Sequence, residues 1–239
     1  MVTDTKECFA EILSAAKENK KLLAVLVDPD KFDESKAAIF LSNLPEETTH
    51  IFIGGSTVAE GRTCEVVKRL KNLSKLPLIL FPGDHSQISA HADSLLFLSL
   101  ISGRNPEYLI EQQVRSVKKI KNTRLEIIPT GYILIDGGKK CTVHKVSNTF
   151  PLPQHEIENI VNTALAGQYS GKKLIYLEAG SGAEIPVSEE IIRAVKEALD
   201  IPLIVGGGIR SEQQLQKTYE AGADLVVIGT AFENGSFQN

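Results

Sequence analysis

Tyr176 and Glu178 stand two residues apart in Tyr176-Leu177-Glu178-Ala179-Gly180-Ser181-Gly182. Alternate side chains of a strand share a face, so phenol and carboxylate meet one ligand. A carboxylate there accepts a hydrogen bond from a substrate hydroxyl and takes its proton as the hydroxyl reacts. The competing assignment is a structural carboxylate paired with a lysine or arginine. The adjoining glycines favour the chemical one, because a buried unpaired carboxylate is costly outside a site.

Two further strand ends carry glycine, Ile204-Val205-Gly206-Gly207-Gly208-Ile209 and Val226-Val227-Ile228-Gly229-Thr230, with one helix-sized segment between them. Bare backbone N–H groups after the last two strands of a (β/α)8 barrel form a phosphate cradle. A side chain would hold the phosphate off the amides, and such loops often need positive φ. Recurrence of glycine one unit later argues against a plain tight turn.

Asp28 ends the apolar run in Leu26-Val27-Asp28-Pro29-Asp30-Lys31. It is either a turn aspartate or a ligand for Mg2+, which typically takes one or two protein carboxylates plus substrate phosphate oxygens. Ser56, after Gly54-Gly55, either caps a helix expected to start there or completes the metal site; the roles are compatible.

These residues need a scaffold that brings strand ends together. Apolar runs rich in β-branched residues recur at Leu22 to Asp28, His50 to Gly55, Leu76 to Pro82, Ser94 to Ile101, Glu126 to Asp136, Lys172 to Ala179, Pro202 to Gly208 and Ala223 to Thr230. Continuous rather than alternating hydrophobicity marks parallel strands buried on both faces. Helical segments lie between most of them. Glu107 to Ile120 is read with Leu109, Val114, Val117 and Ile120 on one side, and Ser188 to Leu199 starts on a capping serine. This alternation predicts a (β/α)8 barrel over a doubly wound sheet, for which no G-x-G-x-x-G turn is present.

Two departures stand out. Gly83 to Asp93 is short, polar and glycine-led, a poor crossover helix, so helix 3 is expected to be absent or reduced. The uncovered flank suits a partner subunit or a long apolar ligand. Ala231 to Asn239 is too short for an ordinary closing helix, and a helix over Lys6 to Asn19, with Phe9, Ile12, Leu13 and Ala16 on one side, is expected to cover part of the barrel.

The chain of 239 residues fits one barrel domain, 1–239. Its net charge of −4 lacks the basic face that nucleic acid requires, so no nucleic-acid partner is expected. Cys8, Cys64 and Cys141 have no metal-ligand spacing and read as reduced thiols. No apolar run reaches the roughly 18 residues of a bilayer span, and Met1-Val2-Thr3-Asp4 is too polar for a signal peptide. The expectation is a cytoplasmic protein, with peripheral membrane contact compatible with a lipid substrate or product.

Val27-Asp28-Pro29-Asp30-Lys31, Gly54-Gly55-Ser56, Pro129-Thr130-Gly131-Tyr132, Val146-Ser147-Asn148-Thr149, Tyr176 to Gly182, Val205-Gly206-Gly207-Gly208-Ile209 and Gly229-Thr230 together resemble the geranylgeranylglyceryl phosphate synthase family. That family includes the bacterial heptaprenylglyceryl phosphate synthases. The likeness runs from about Asp28 to Glu233, with the motifs in the family's order.

The resemblance implies an α/β fold, a modified TIM (β/α)8 barrel with helix 3 absent or reduced. It implies prenyl transfer from an isoprenoid diphosphate to the 3-hydroxyl of sn-glycerol 1-phosphate, with Mg2+ bound and diphosphate released. By matching positions Asp28 and Ser56 are the metal site. Tyr176, Leu177, Glu178, Ala179, Gly180, Ser181, Gly182, Gly207, Gly208, Gly229 and Thr230 are the glycerol phosphate site. Within it Glu178 is the proton acceptor, Tyr176 positions the hydroxyl, and Lys31 assists at the diphosphate.

Asn148 and Thr149, in the Gly137 to Pro153 segment, are expected on the diphosphate side, unless that segment is a lid or a plain connection. A geranylgeranyl donor is expected over a heptaprenyl one, with Phe97, Leu98, Tyr108 and Tyr132 as groove stops. A homo-oligomer is expected from the open flank. The histidines carry no assignment. The rival readings are a phosphosugar isomerase or epimerase on the same barrel, which needs an acid/base pair about a sugar carbon, and a non-catalytic phosphometabolite binder.

Overall fold

The computed structural model describes residues 7–229, 232 and 237. Thr230, the Met1-Val2-Thr3-Asp4 start and most of the segment after β8 lie outside the described residues.

The apolar runs form eight strands: β1 (Leu22–Val27), β2 (Thr48–Ile53), β3 (Leu78–Leu80), β4 (Ser94–Leu100), β5 (Glu126–Leu134), β6 (Leu174–Glu178), β7 (Leu203–Gly206) and β8 (Leu225–Ile228). All neighbours pair in parallel, and β8 pairs with β1 to close the barrel. Period-two alternation divides each strand between two cores. Ala24, Phe52, Ile79, Leu96, Tyr176 and Val227 fill the barrel interior. Val25, Ile175, Leu177, Val205 and Val226 face the outer layer on one side, and Ile51, Ile53, Leu78 and Leu80 do so on the other.

Among the described residues the helices are α1 (Cys8–Lys17), α2 (Ala37–Ser42), α3 (Arg62–Leu73), α4 (Gln112–Ile120), α5 (Thr142–Ser147), α6 (Ile157–Tyr169), α7 (Glu189–Ala198) and α8 (Glu212–Glu220). Ser188 caps α7 as its sequence position predicts, its side chain accepting from the Ile191 N–H at 3.3 Å. The early helix α1 turns Cys8, Ile12 and Ala15 into the interior cluster. Its Phe9 N–H donates to Glu126 at the start of β5, 3.1 Å, which seats it at the N-terminal end of the barrel.

No helix lies between β3 and β4, as the polar 83–93 segment predicts. Helix α4 departs from its expected facing. Val114 and Val117 are 59% and 49% exposed, whereas Gln113 and Ser116 are buried. Leu109 and Val114 are five residues apart and do not share one helical stripe; the inward side runs through Leu109, Gln113, Ser116 and Ile120, two of them polar, just after a π-helical turn over Glu107–Glu111. Gln113 inside is satisfied by donating to the Leu98 carbonyl at 2.6 Å.

Candidate active site

A cavity of about 610 Å³ opens at the C-terminal ends of the strands. Tyr176, Glu178, Gly207, Gly208 and Gly229 line one part of it, and Asp28, Lys31, Gly55 and Ser56 another. The remainder runs out past Phe81, Leu96, Phe97, Leu98, Tyr108 and Tyr132 towards α4, where the crossover helix is missing. Polar ends and an apolar channel thus form one continuous space.

Glu178 is 6% exposed. Burial pushes its carboxyl above the ordinary glutamate value, and the Tyr176 phenol and the Gly180 amide draw it partway back. The Gly180 N–H donates to Oε1 at 2.7 Å. No lysine or arginine enters that balance, so the paired structural carboxylate weighed from sequence is not what β6 carries. A buried carboxylate with raised proton affinity suits a base that must accept a proton near neutral pH.

Tyr176 is fully buried, and its ring stacks on Phe81 with centroids 5.1 Å apart. Burial, then the charge of Glu178, raises its pKa well above the ordinary tyrosine value, so it remains a neutral phenol. The phenol acts on Glu178 at short range, yet the hydroxyl makes no hydrogen bond of good geometry within the described residues. It is thus poised to exchange a poor contact for a ligand oxygen.

The triple glycine of β7 is explained by this pair. A Cβ on Gly206 would lie 2.4 Å from the Tyr176 hydroxyl oxygen. Gly207 and Gly208 have φ of +87° and +76°, a region that favours glycine. Among the described residues, no backbone carbonyl accepts from the Gly207 or Gly208 N–H. Those amides are what an anion needs.

At the mouth of β1, Asp28 is half-buried. Its Oδ2 lies 2.8 Å from Lys31 Nζ, and its Oδ1 accepts from the Asp30 N–H at 3.1 Å. Among the described residues no group of three or more His, Cys, Asp or Glu could hold a metal ion. One carboxylate beside one hydroxyl still fits Mg2+, which dehydrates reluctantly and takes most other ligands from water and substrate phosphate.

The family model that matches residues 15–238 is described as the PcrB family. The chain belongs to the PcrB family. A PcrB-family relative named geranylgeranylglyceryl phosphate synthase, from Zunongwangia profunda, is 61% identical over 95% of this chain and 97% of its own. Another of that name, from Pyrococcus furiosus, is 46% identical over 91% of this chain and 86% of its own. A crystal structure of (S)-3-O-geranylgeranylglyceryl phosphate synthase from Thermoplasma acidophilum, in complex with sn-glycerol-1-phosphate, superposes with a TM-score of 0.86. It is 33% identical and covers 98% of this chain and 92% of its own.

Several expected residues of this PcrB-family chain sit differently from their sequence reading. Leu177 and Ala179 pack in the outer barrel layer, and neither lines the cavity. Gly180 is buried with φ +101° and spends its N–H on Glu178, whereas Ser181 and Gly182 line the cavity. Ser56 lines it too but caps no helix: α3 starts at Arg62, after Gly61 with φ +87°. Asn148 is an exposed left-handed cap on α5, and Thr149 is buried against Gly103, so neither lines the cavity. The Gly137 to Pro153 segment reaches it instead through Lys139, Thr142, Val143 and Val146.

Sequence reasoning missed Lys139 and Arg210. Lys139 Nζ would lie 3.3 Å from a Cβ on Gly182, and Arg210 donates to the Ala183 carbonyl at 2.7 Å. Both add positive charge beside the glycine loops. Two lone cations on separate loops carry no spacing signal that would have revealed them.

Proposed function

We propose that this PcrB-family protein is a prenyltransferase that joins an isoprenoid diphosphate, with geranylgeranyl diphosphate as expected donor, to the 3-hydroxyl of sn-glycerol 1-phosphate. The observation that carries this reading is one cavity with the Tyr176–Glu178 pair and the Gly207–Gly208 amides at its polar end and an apolar channel at the other. The names of the relatives and the glycerol phosphate bound to the Thermoplasma enzyme support it.

The Gly207 and Gly208 N–H groups, with Lys139 nearby, receive the phosphate of the acceptor. That anchor holds the 3-hydroxyl against Glu178 and converts an encounter into a positioned reaction. The hydroxyl oxygen bonds to the first carbon of the prenyl chain. The bond from that carbon to the diphosphate oxygen breaks with its electron pair leaving on diphosphate, and the hydroxyl proton passes to Glu178. Tyr176, neutral throughout, donates to the acceptor. Asp28 and Ser56 would hold Mg2+, which would supply neutralising charge for the leaving diphosphate. Lys31, ion-paired to Asp28, adds positive charge on the same side.

A phosphosugar isomerase would leave the apolar channel without a role. The decisive assay supplies Mg2+, labelled sn-glycerol 1-phosphate and either geranylgeranyl or heptaprenyl diphosphate. An organic-extractable ether phosphate is expected, more readily from geranylgeranyl diphosphate; no such product from either donor overturns the assignment.

Among the described residues no helix is long and apolar enough to cross a membrane. Ile110, Val114 and Val117 form an exposed apolar stripe beside the uncovered flank, which supports a homo-oligomer. Cytoplasmic residence, with product passing to a membrane surface by peripheral contact, fits a lipid product.

A further inference from the structure

The segment 81–93 is more than a gap in the helical ring. It contains Gln87, a polar side chain only 2% exposed. Its carboxamide grips both sides of one residue of the β2 loop: Oε1 accepts from the Gly55 N–H at 3.2 Å, and Nε2 donates to the Gly55 carbonyl at 2.8 Å. Glutamine presents donor and acceptor together as a peptide does, and here it extends the β2–β3 ladder past its last pair, Ile53 with Leu80.

The packing around that contact is tight. A Cβ on Gly83 would lie 2.3 Å from the Gly55 carbonyl oxygen and 2.7 Å from that of Ser56. A Cβ on Gly54 would lie 1.8 Å from the Phe81 carbonyl oxygen. On its other side Gly55 abuts Asp28, whose Oδ1 would be 3.2 Å from a Cβ there. The 54–56 loop is therefore wedged between the 81–93 segment and the Asp28 carboxylate.

We propose that Gln87 is the positioning residue of the cation site: by fixing the Gly55 peptide it sets where the Ser56 hydroxyl stands relative to Asp28. This rests on reading Asp28 and Ser56 as the Mg2+ pair. Gln87 touches neither cation nor substrate in this role; it acts through Gly55. Replacing it frees a loop whose next residue is a ligand, so the effect falls on Mg2+ and the diphosphate and spares the glycerol phosphate.

Gln87→Leu and Gln87→Met remove both hydrogen bonds at similar volume, methionine serving where leucine prevents folding. Calorimetric titration of Mg2+ into protein saturated with inorganic pyrophosphate is expected to show affinity about tenfold weaker than wild type, the usual scale for partners behind a metal ligand. The Mg2+ concentration for half-maximal turnover rises in step, and the KM for sn-glycerol 1-phosphate is unchanged. Folded variants with wild-type Mg2+ affinity overturn the proposal, and so does an equal rise in both substrates' KM, which marks general loosening. Wild-type protein that binds Mg2+ with pyrophosphate yet forms no ether overturns the prenyl transfer reading while the titration still decides Gln87.

Discussion

A Cβ on Gly207 would fall 2.5 Å from Oε1 of Glu178. The end of β7 and the carboxylate of β6 thus contest one small volume, and glycine is what lets them share it. The same residue carries φ +87°.

Gly207→Ala is expected to cost about 1 to 2 kcal/mol from backbone strain alone. Its methyl also displaces Glu178, so kcat falls further than the folded fraction does. Denaturant unfolding beside turnover per folded molecule checks this; an equally stable, fully active variant contradicts it.

Glu178→Gln separates chemistry from stability. Because burial raises the Glu178 pKa, the native protein holds more protons than the unfolded chain between the two pKa values, and stability falls as pH rises through that window. Glutamine removes this loss and keeps an acceptor for the Gly180 N–H. The variant should melt above wild type at about pH 8 and converge with it below about pH 4. Prenyl transfer should fall about a hundredfold or more with glycerol phosphate binding retained. In wild type the acid limb of kcat/KM is displaced upward from the ordinary carboxylate range. Melting curves that stay parallel at both pH values, or unaltered transfer, contradict this account.

Asp28→Asn is expected to abolish Mg2+-dependent turnover with little effect on folding. Lys31 is 60% exposed, so its ion pair with Asp28 is worth at most about 1 kcal/mol. Chelation of Mg2+ should silence wild type reversibly, and glycerol phosphate should still bind both proteins by calorimetry. Turnover that survives chelation removes Mg2+ from the reaction.

Val114→Glu tests the stripe on α4. An exposed substitution away from any cap or core costs within about 0.5 kcal/mol, so the monomer should fold normally. Sedimentation is expected to shift from oligomer to monomer, and a wild type that sediments as a monomer dismisses the contact.

The barrel was legible because each strand is an apolar run buried on both faces, and the missing crossover because 83–93 offers no apolar stripe. The Tyr176–Glu178 pair was legible because period two is the most rigid rule of a strand. The facing of α4 was not, since the stripe that turns inward, Leu109, Gln113, Ser116 and Ile120, carries two polar residues that no hydrophobic pattern picks out, and Val114 lies five residues from Leu109, off that stripe. Asn148 and Thr149 misled because a motif in a loop fixes order along the chain but not direction in space. Gln87, Lys139 and Arg210 were invisible for the same reason: each acts on a loop remote in sequence.

Helix α1 occupies the N-terminal end of the barrel with Cys8, Ile12 and Ala15. A hydrocarbon tail that entered from the mouth would therefore meet a stopper below and have its outlet sideways, past Phe97 and Tyr108. The barrel has the form of a blind socket with a lateral slot, so its height alone would not limit the length of such a tail.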